Sequence, residues 1–464
     1  MKKVGLFLGL ALVALTSFAQ NTEQQALTLT LEQALEIALT ESPTIKIAEQ
    51  EIEIKRYAKQ ETYSSLYPRF DATAQYQRMI AVQTIYMDMG DGNARKIKMG
   101  RDNSFNGGVS ASMPIVNAQL WESLKVSVAD IMLSIEKARS SQIDMIEQVT
   151  KAYFGILLAK ESEVVFQRVY DNAVENNKNI QKRYDVGSVS EYDLITSNVS
   201  VQNAIPNLIE AQNAVVLALW QLKALLGIDL QKNIDVVGSL MDYEAQMNYA
   251  MTLEQLDLSN NTTLKQLNIQ EGMLESAHKI AKWANIPTLS INAAFLYTAQ
   301  GNDGEFFQGK MWNPYSYAGV QLNIPIFAGL QRRAAIRQSA INLSNLQLQR
   351  ENAERQLRVA VVQSLNNMQT NVKKFSAAAA TVSQAQRGYE IAVKRYEVGR
   401  GTLVDVDNSQ LALTQAELGR NNAIYNFLVS KVALDKILGN HEVKTNHDYV
   451  EKYEQKYEKY YGDK

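Results

Sequence analysis

The chain writes one phrase twice. Residues 182–193 read KRYDVGSVSEYD, and residues 394–405, 212 positions later, read KRYEVGRGTLVD. Lys-Arg-Tyr, an acid, Val-Gly, a short polar turn and an Asp six residues after the Gly recur in the same order. Thr30-Leu31-Glu32-Gln33 returns as Thr252-Leu253-Glu254-Gln255, and Tyr67-Pro68 as Ile286-Pro287. Met113-Pro114-Ile115 returns as Ile324-Pro325-Ile326, and Leu226-Gly227 as Leu438-Gly439. The chain is a tandem duplication. Each half reads helix, X-Pro, strand, loop, strand, Pro, very long helix, turn, return helix.

The helices outgrow a globular domain. No Pro falls between Pro114 and Pro206, and none follows Pro325. Residues 118–184 predict one helix of about 67 residues, about 100 Å long at 1.5 Å per residue. Its counterpart spans 330–396, with return helices over 190–227 and 402–438. Small and apolar residues surround the long helices (Ala152, Ile156, Ala159; Ala377 to Ala380), as packing on two sides requires. Shorter helices are expected over 44–66 and 263–286. A short helix and a return helix together nearly match one long helix, so they are expected to stack end to end beside it. The repeated phrase becomes two hairpin tips, 185–193 and 397–405. Pro206 predicts a kink, and the Glu/Lys run at 49–61 a solvated helix face.

Strand pairs are expected at 67–87 with 104–116 and at 287–299 with 315–327. Phe70, Ala72, Ala74 and Tyr76 alternate with Asp71, Thr73, Gln75 and Gln77; Leu289, Ile291, Ala293 and Phe295 alternate with Ser290 and Asn292. Such alternation is the weak signature of transmembrane β-strands. Polar, Gly-rich loops at 90–103 and 300–310 join them. Tyr63, Tyr67, Tyr86, Trp121, Trp283, Trp312 and Tyr315 fall where an interfacial aromatic girdle is expected. A closed barrel needs about eight strands, so if these four are membrane strands the barrel must be shared between copies; free export is the alternative.

Composition closes other routes. There are no cysteines, which excludes disulfides, thiolate zinc sites, a Cys nucleophile and a lipidated N-terminal Cys. Lys2 and Lys3, the apolar run from Val4 to Leu15, and Ser17-Phe18-Ala19 predict a signal peptide over 1–19. Losing it takes the formal net charge from −2 to −4. No basic footprint suggests nucleic acid, and no later segment has the roughly 20 apolar residues of a spanning helix. The remaining division is repeat 1 at 20–228, a linker or equatorial segment at 229–251, repeat 2 at 252–439 and a polar tail at 440–464, either frayed helix or wrapped outside. No GxSxG, HExxH, GxxxxGK[ST] or Rossmann fingerprint occurs. His278, His441 and His447 lack partners at ligand spacing, the last two in an expected solvated tail. No catalytic residue, metal site or cofactor is predicted, so the chain is not expected to be an enzyme.

With the repeat, the strand-Pro-long helix order, LTLEQALEIAL, MPIVNAQL, IPIFAGLQRRAAI and the two Tyr-x-Val-Gly tips, residues 27–439 resemble the TolC family of outer-membrane efflux and secretion channels. The resemblance implies an α+β membrane protein: a homotrimer with a twelve-strand barrel in outer-membrane lipid and a twelve-helix tunnel through the periplasm of a Gram-negative bacterium. It implies a periplasmic adaptor and an inner-membrane RND, ABC or MFS pump as partners.

Local structure alone accounts for much of each tip. Gly187 and Gly399 suit a helix C-cap. Ser190 with Asp193, and Thr402 with Asp405, suit a capping box with Asp in place of Glu and complement the helix dipole. The resemblance adds roles. It implies that Tyr184, Asp193, Tyr396, Arg400, Asp405 and Asp407 form the gate, with Asp405 in an acidic ring. It implies that Val186, Gly187, Val398 and Gly399 meet the adaptor. The family's tip Arg lies two residues after the Gly, where this chain has Gly401. The family's second acid matches Asn408, with Asp407 adjacent. The expected function is the passive exit duct of a tripartite efflux system for small toxic molecules, or alternatively of a type I protein secretion system. A periplasmic coiled coil or adhesin predicts strict heptads without alternating strands, and an exported enzyme predicts convergent acid, base or metal groups. Neither pattern is present.

Overall fold

The computed structural model describes residues 27–88, 90, 94–248, 257–302, 312–441 and 450–462. The signal peptide expected at 1–19, the second TLEQ at 252–255 and His447 lie outside them.

A short strand β1 (Leu27–Leu29) leads into helices α1 (Leu31–Glu41) and α2 (Pro43–Ser64). Thr30 starts α1 with a full capping box to Gln33. Four strands then follow: β2 (Arg69–Arg78), β3 (Thr84–Asp88), β4 (Ala94–Lys98) and β5 (Asn103–Val116). Next come α3 (Ala118–Asp185), α4 (Glu191–Leu226), β6 (Ile234–Val236) and a 3-10 helix over Leu240–Asn248. The second repeat supplies α5 (Thr262–Trp283), β7 (Thr288–Gly301), β8 (Trp312–Asn323), α6 (Gln331–Glu397) and α7 (Leu403–Leu438). A last helix, α8, spans Val450–Tyr461.

One antiparallel sheet has the order β2-β5-β7-β8. The strand expected over 67–87 is two strands. Met79 N–H donates to Asp102 O and closes the β2–β5 ladder. Beyond it, Met99 N–H donates to Gln83 O and opens a separate β3–β4 hairpin, with Ile85 opposite Ile97. The segment expected as a loop at 90–103 therefore contains β4, and Tyr86 stands on the projecting hairpin rather than at the sheet's edge. The strand expected to reach 327 stops at Asn323, opposite Thr288, where its partner β7 begins.

The helices form columns in the same order as the strands. Near the sheet α2, α3, α5 and α6 pack side by side; farther away the order is α4, α3, α7, α6. The long helices α3 and α6 run through both levels, and the short ones pack beside them at one level each. α4 runs on through Pro206.

Where the levels meet, β1 pairs in parallel with β6. The Tyr153 hydroxyl donates to Leu29 O and Val237 O, and Lys160 Nζ donates to Val236 O at 3.0 Å. Tyr153, Leu157, Leu222, Leu226, Ile424 and Phe427 share the largest buried cluster. Burying each such side chain contributes about 1.5–3 kcal/mol.

Two polar segments are less solvated than expected. Lys59, within the run at 49–61, is only 7% exposed, because α8 covers it with Tyr453. The tail, left between frayed helix and outer wrap, forms α8 packed on α3, with Tyr457 and Tyr461 in the cluster of Ile52, Ala129 and Ile269.

Candidate functional site

The two tips sit at the ends of the helical hairpins α3–α4 and α6–α7. Their backbones match. Gly187 has φ 71° and Gly399 φ 74°, left-handed values that favour glycine. Gly187 N–H donates to Tyr184 O at 2.8 Å and Ser188 N–H to Arg183 O at 2.7 Å. Gly399 N–H donates to Tyr396 O at 3.1 Å and Arg400 N–H to Arg395 O at 2.7 Å. Each pair satisfies carbonyls that the helix end leaves open.

Each following helix opens on a full capping box. Asp193 N–H donates to Ser190 Oγ at 3.1 Å, while Asp193 Oδ2 accepts from Ser190 N–H and Oγ. Asp405 N–H donates to Thr402 Oγ1 at 3.2 Å, and Asp405 Oδ2 accepts from Thr402 N–H at 2.9 Å. The backbone hydrogen bond at Thr402 chiefly holds the exposed Asp405 carboxyl below its ordinary pKa. Asp405 thus stays ionised through the neutral range, as a helix cap and as a solvent-facing charge.

Side chains bind one hairpin to the other. Ser200 Oγ on α4 donates to Asp407 Oδ2 on α7 at 2.9 Å. Arg183 Nη2 donates to Glu397 O at 2.9 Å, and its guanidinium lies 5.7 Å from the centre of the Tyr396 ring. Farther from the tip, Arg168 Nη2 meets Glu417 Oε2 at 2.6 Å and Asn172 Nδ2 meets Gln410 Oε1 at 3.0 Å. Ile180, Leu403 and Val406 are buried between the hairpins, with Tyr389 and Tyr396 packed on them.

The predicted residues divide into three environments. Asp407 is half-buried, and burial outweighs the Ser200 hydrogen bond to raise its pKa. Tyr396 borders a cleft of about 380 Å³ with Ile180, Arg183 and Leu403; its buried hydroxyl has no partner among the described residues. Burial first, then the Asp193 charge, raises its pKa. Tyr184, Val186, Gly187, Val398, Gly399 and Arg400 face solvent. The Arg400 side chain is not brought to Asp405 or Asp407, though its carbonyl accepts from Arg395 Nη2.

Sequence reasoning missed Arg183 and Ser200. Arg183 lies inside the repeated phrase, which was the available signal; nothing local marks Ser200. His441, expected to be solvated, is half-buried near Asp435, and burial lowers its pKa. No group of three potential metal ligands occurs among the described residues.

A sheet with two open edges, continued by paired helical hairpins, defines the protomer of an outer-membrane channel-tunnel. The chain belongs to the outer membrane efflux protein family, whose profile matches residues 34–228 and 253–440. It is 21% identical to outer membrane protein TolC of Escherichia coli (strain K12) over 73% of this chain and 70% of that protein. It is 23% identical to the alkaline protease secretion protein AprF of Pseudomonas aeruginosa over 89% and 85%. The fold is that of the Campylobacter jejuni CmeC outer membrane channel, with TM-score 0.72, 20% identity and coverage of 92% and 89%. The open-state Neisseria gonorrhoeae MtrE channel gives TM-score 0.67 at 17% identity, covering 88% of each chain. The chain is an export duct of the outer membrane.

Proposed function

We propose that three copies of the chain close a twelve-strand barrel and a twelve-helix tunnel, forming the passive exit duct of a tripartite efflux system for small toxic molecules. An inner-membrane pump of the RND, ABC or MFS class energises export through a periplasmic adaptor that grips Val186-Gly187 and Val398-Gly399. Tyr184, Asp193, Tyr396, Arg400, Asp405 and Asp407 form the gate at the closed end. The duct catalyses no reaction.

The observation that carries this reading is the pair of open edges. β2 and β8 border the sheet without a further neighbour among the described strands. In hydrocarbon each unsatisfied backbone group costs on the order of several kcal/mol. Over strands of 10 and 12 residues that penalty is prohibitive, so β2 of one copy must meet β8 of another. The helical level supports the same closure. The outer columns expose apolar residues: Val199, Ile209, Val216 and Leu217 on α4, and Ile341, Leu348, Val359 and Val362 on α6. A heterologous contact repeated around an axis closes a ring.

The similarity to AprF along most of both chains favours, as a second reading, the exit duct of a type I protein secretion system. Membrane fractionation followed by mass measurement in detergent tests the assembly: three copies from the outer-membrane fraction are expected, and a soluble single copy overturns it. Deleting the gene separates the readings. Sensitivity to small toxic molecules marks efflux, and loss of a secreted protein marks secretion.

A further inference from the structure

Lys59 is a buried cation without an acid partner among the described residues. It lies near the end of α2, five residues or about 8 Å before Ser64 at 1.5 Å per residue, and β2 begins at Arg69. Its ammonium stands 4.4 Å from the centre of the Tyr453 ring and 5.7 Å from that of Tyr63. Lys456 approaches the same Tyr453 ring at 6.0 Å, so two ammonium groups share one aromatic face system. Lys125 lies 5.9 Å from the neighbouring Tyr460 ring.

Three acids of the surrounding helices pair with other bases: Asp130 with Lys55 at 3.1 Å, Glu53 with Arg56 at 2.6 Å, and Glu122 with Lys125 at 2.9 Å. Among the described residues, no carboxylate lies within ion-pair distance of Lys59 or Lys456. Burial, then the charges of Lys456 and Lys452, hold the Lys59 pKa down at about 8. Lys59 is therefore still mostly protonated at neutral pH. Tyrosine rings attract a cation, but they do not cancel the repulsion between two.

We propose that Lys59 and Lys456 form a phosphate-binding site between α2 and the C-terminal helix. A phosphate offers several acceptor oxygens to two ammonium groups at once and supplies the missing negative charge. The position, just below the barrel strands and beside the amphipathic Tyr63, suits the headgroup of a phospholipid in the periplasmic leaflet; a soluble phosphate has the same chemistry. The lipid source rests on the outer-membrane reading, whereas the ion site does not.

Occupancy has a mechanical consequence. α8 is also seated on the second repeat, where the Tyr461 and Ser276 hydroxyls are 2.9 Å apart and Tyr461 lies over Gly272. The anion thus fastens a strap joining α2 of repeat 1 to α5 of repeat 2.

The test uses the full-length, delipidated protein in detergent and follows hydrogen exchange in α8. The probes are phosphatidylglycerol and inorganic phosphate, against chloride at equal ionic strength. At a probe concentration about ten times its Kd, exchange through α8 undocking should slow about tenfold. Slowing by phosphatidylglycerol alone assigns a lipid headgroup, and slowing by inorganic phosphate assigns a free anion site. Slowing by neither overturns the proposal. Lys59→Gln and Lys456→Gln should abolish the response while slowing α8 exchange in chloride, because one repelling charge is gone; a retained response in both overturns the proposal. Lys456→Gln alters only α8, so its result stands even if the α2 variant misfolds. Channel conductance in planar bilayers is read in parallel, and its loss, unlike loss of the phosphate response, counts against the duct itself.

Discussion

Ser200 on the first hairpin donates a 2.9 Å hydrogen bond to Asp407 on the second, and this bond ties the two tips together inside one chain. The acid it engages is half-buried, with its pKa raised by burial. A carboxyl whose packed-state pKa is raised favours packing fully below its unfolded pKa and loses that contribution as pH rises through the packed-state value. Acidification through the Asp407 titration should therefore tighten the tip, until protonation of Asp405, whose pKa is lowered, weakens the α7 cap at more acid pH. Hydrogen exchange at the start of α7 should slow as pH falls through the Asp407 titration, after correction for intrinsic exchange. Asp407→Asn should remove this tightening and leave only the loosening that protonation of Asp405 brings at lower pH. A wild-type tip that loosens as pH falls through the Asp407 titration, above that of Asp405, would contradict the assignment.

Asp405 has two separable duties, as a helix cap and as a charge facing solvent. Thr402→Ala removes the hydroxyl of the capping box but keeps the carboxylate. Asp405→Asn removes the charge but keeps an acceptor for the Thr402 N–H. If Asp405 lines the pore, blockade of conductance by multivalent cations should weaken in Asp405→Asn and persist in Thr402→Ala. Equal blockade in both variants assigns Asp405 to capping alone.

The buried Tyr396 hydroxyl lacks a partner among the described residues. Removing an unpaired buried polar group is nearly neutral or stabilising, within about 1 kcal/mol. Tyr396→Phe should leave the melting temperature of the assembly within a few degrees of wild type. A rise in resting conductance would show that a neighbouring copy supplies the partner. A strongly destabilised Phe variant would mean that the hydroxyl is already bonded within one copy.

The glycines of the turns differ in what surrounds them. A Cβ at Gly187 or Gly399 meets nothing within 4 Å, so Ala there costs only the left-handed conformation, roughly 1–2 kcal/mol. At Gly439, φ 68°, a Cβ would lie 2.2 Å from Asn260 O. Gly439→Ala should cut folded protein in the membrane far more than Gly187→Ala, as heat-modifiable bands on a gel report. Gly187→Pro or Gly399→Pro, which lacks the turn N–H and cannot reach φ near +70°, should abolish efflux while assemblies remain in the membrane.

Helix ends were legible because their signals are local. Asn117 caps α3 through Leu120 N–H, and Gly187 follows its end two residues after Asp185. The β3–β4 hairpin was hidden because ARKIK carries three charges and offers almost no apolar alternation; its pairing depends on the ladder begun by Met99 and Gln83. The α8 strap was hidden because Tyr, Lys and Glu read alike as a solvated tail. Its seat at Gly272 and Ser276 lies in another repeat. At the tips, the caps could be read directly, since Ser190 with Asp193 and Thr402 with Asp405 are three residues apart. The Ser200–Asp407 and Arg183–Glu397 links join residues more than 200 positions apart, and only the packing of the hairpins brings them together.

Planar-bilayer recording of the purified protein asks whether this chain builds a membrane duct. Discrete, stepwise conductance from trimers extracted from the outer membrane is the predicted result, with multivalent cations reducing it from the periplasmic side. A water-soluble monomer that leaves bilayer conductance unchanged would mean that the chain forms no duct.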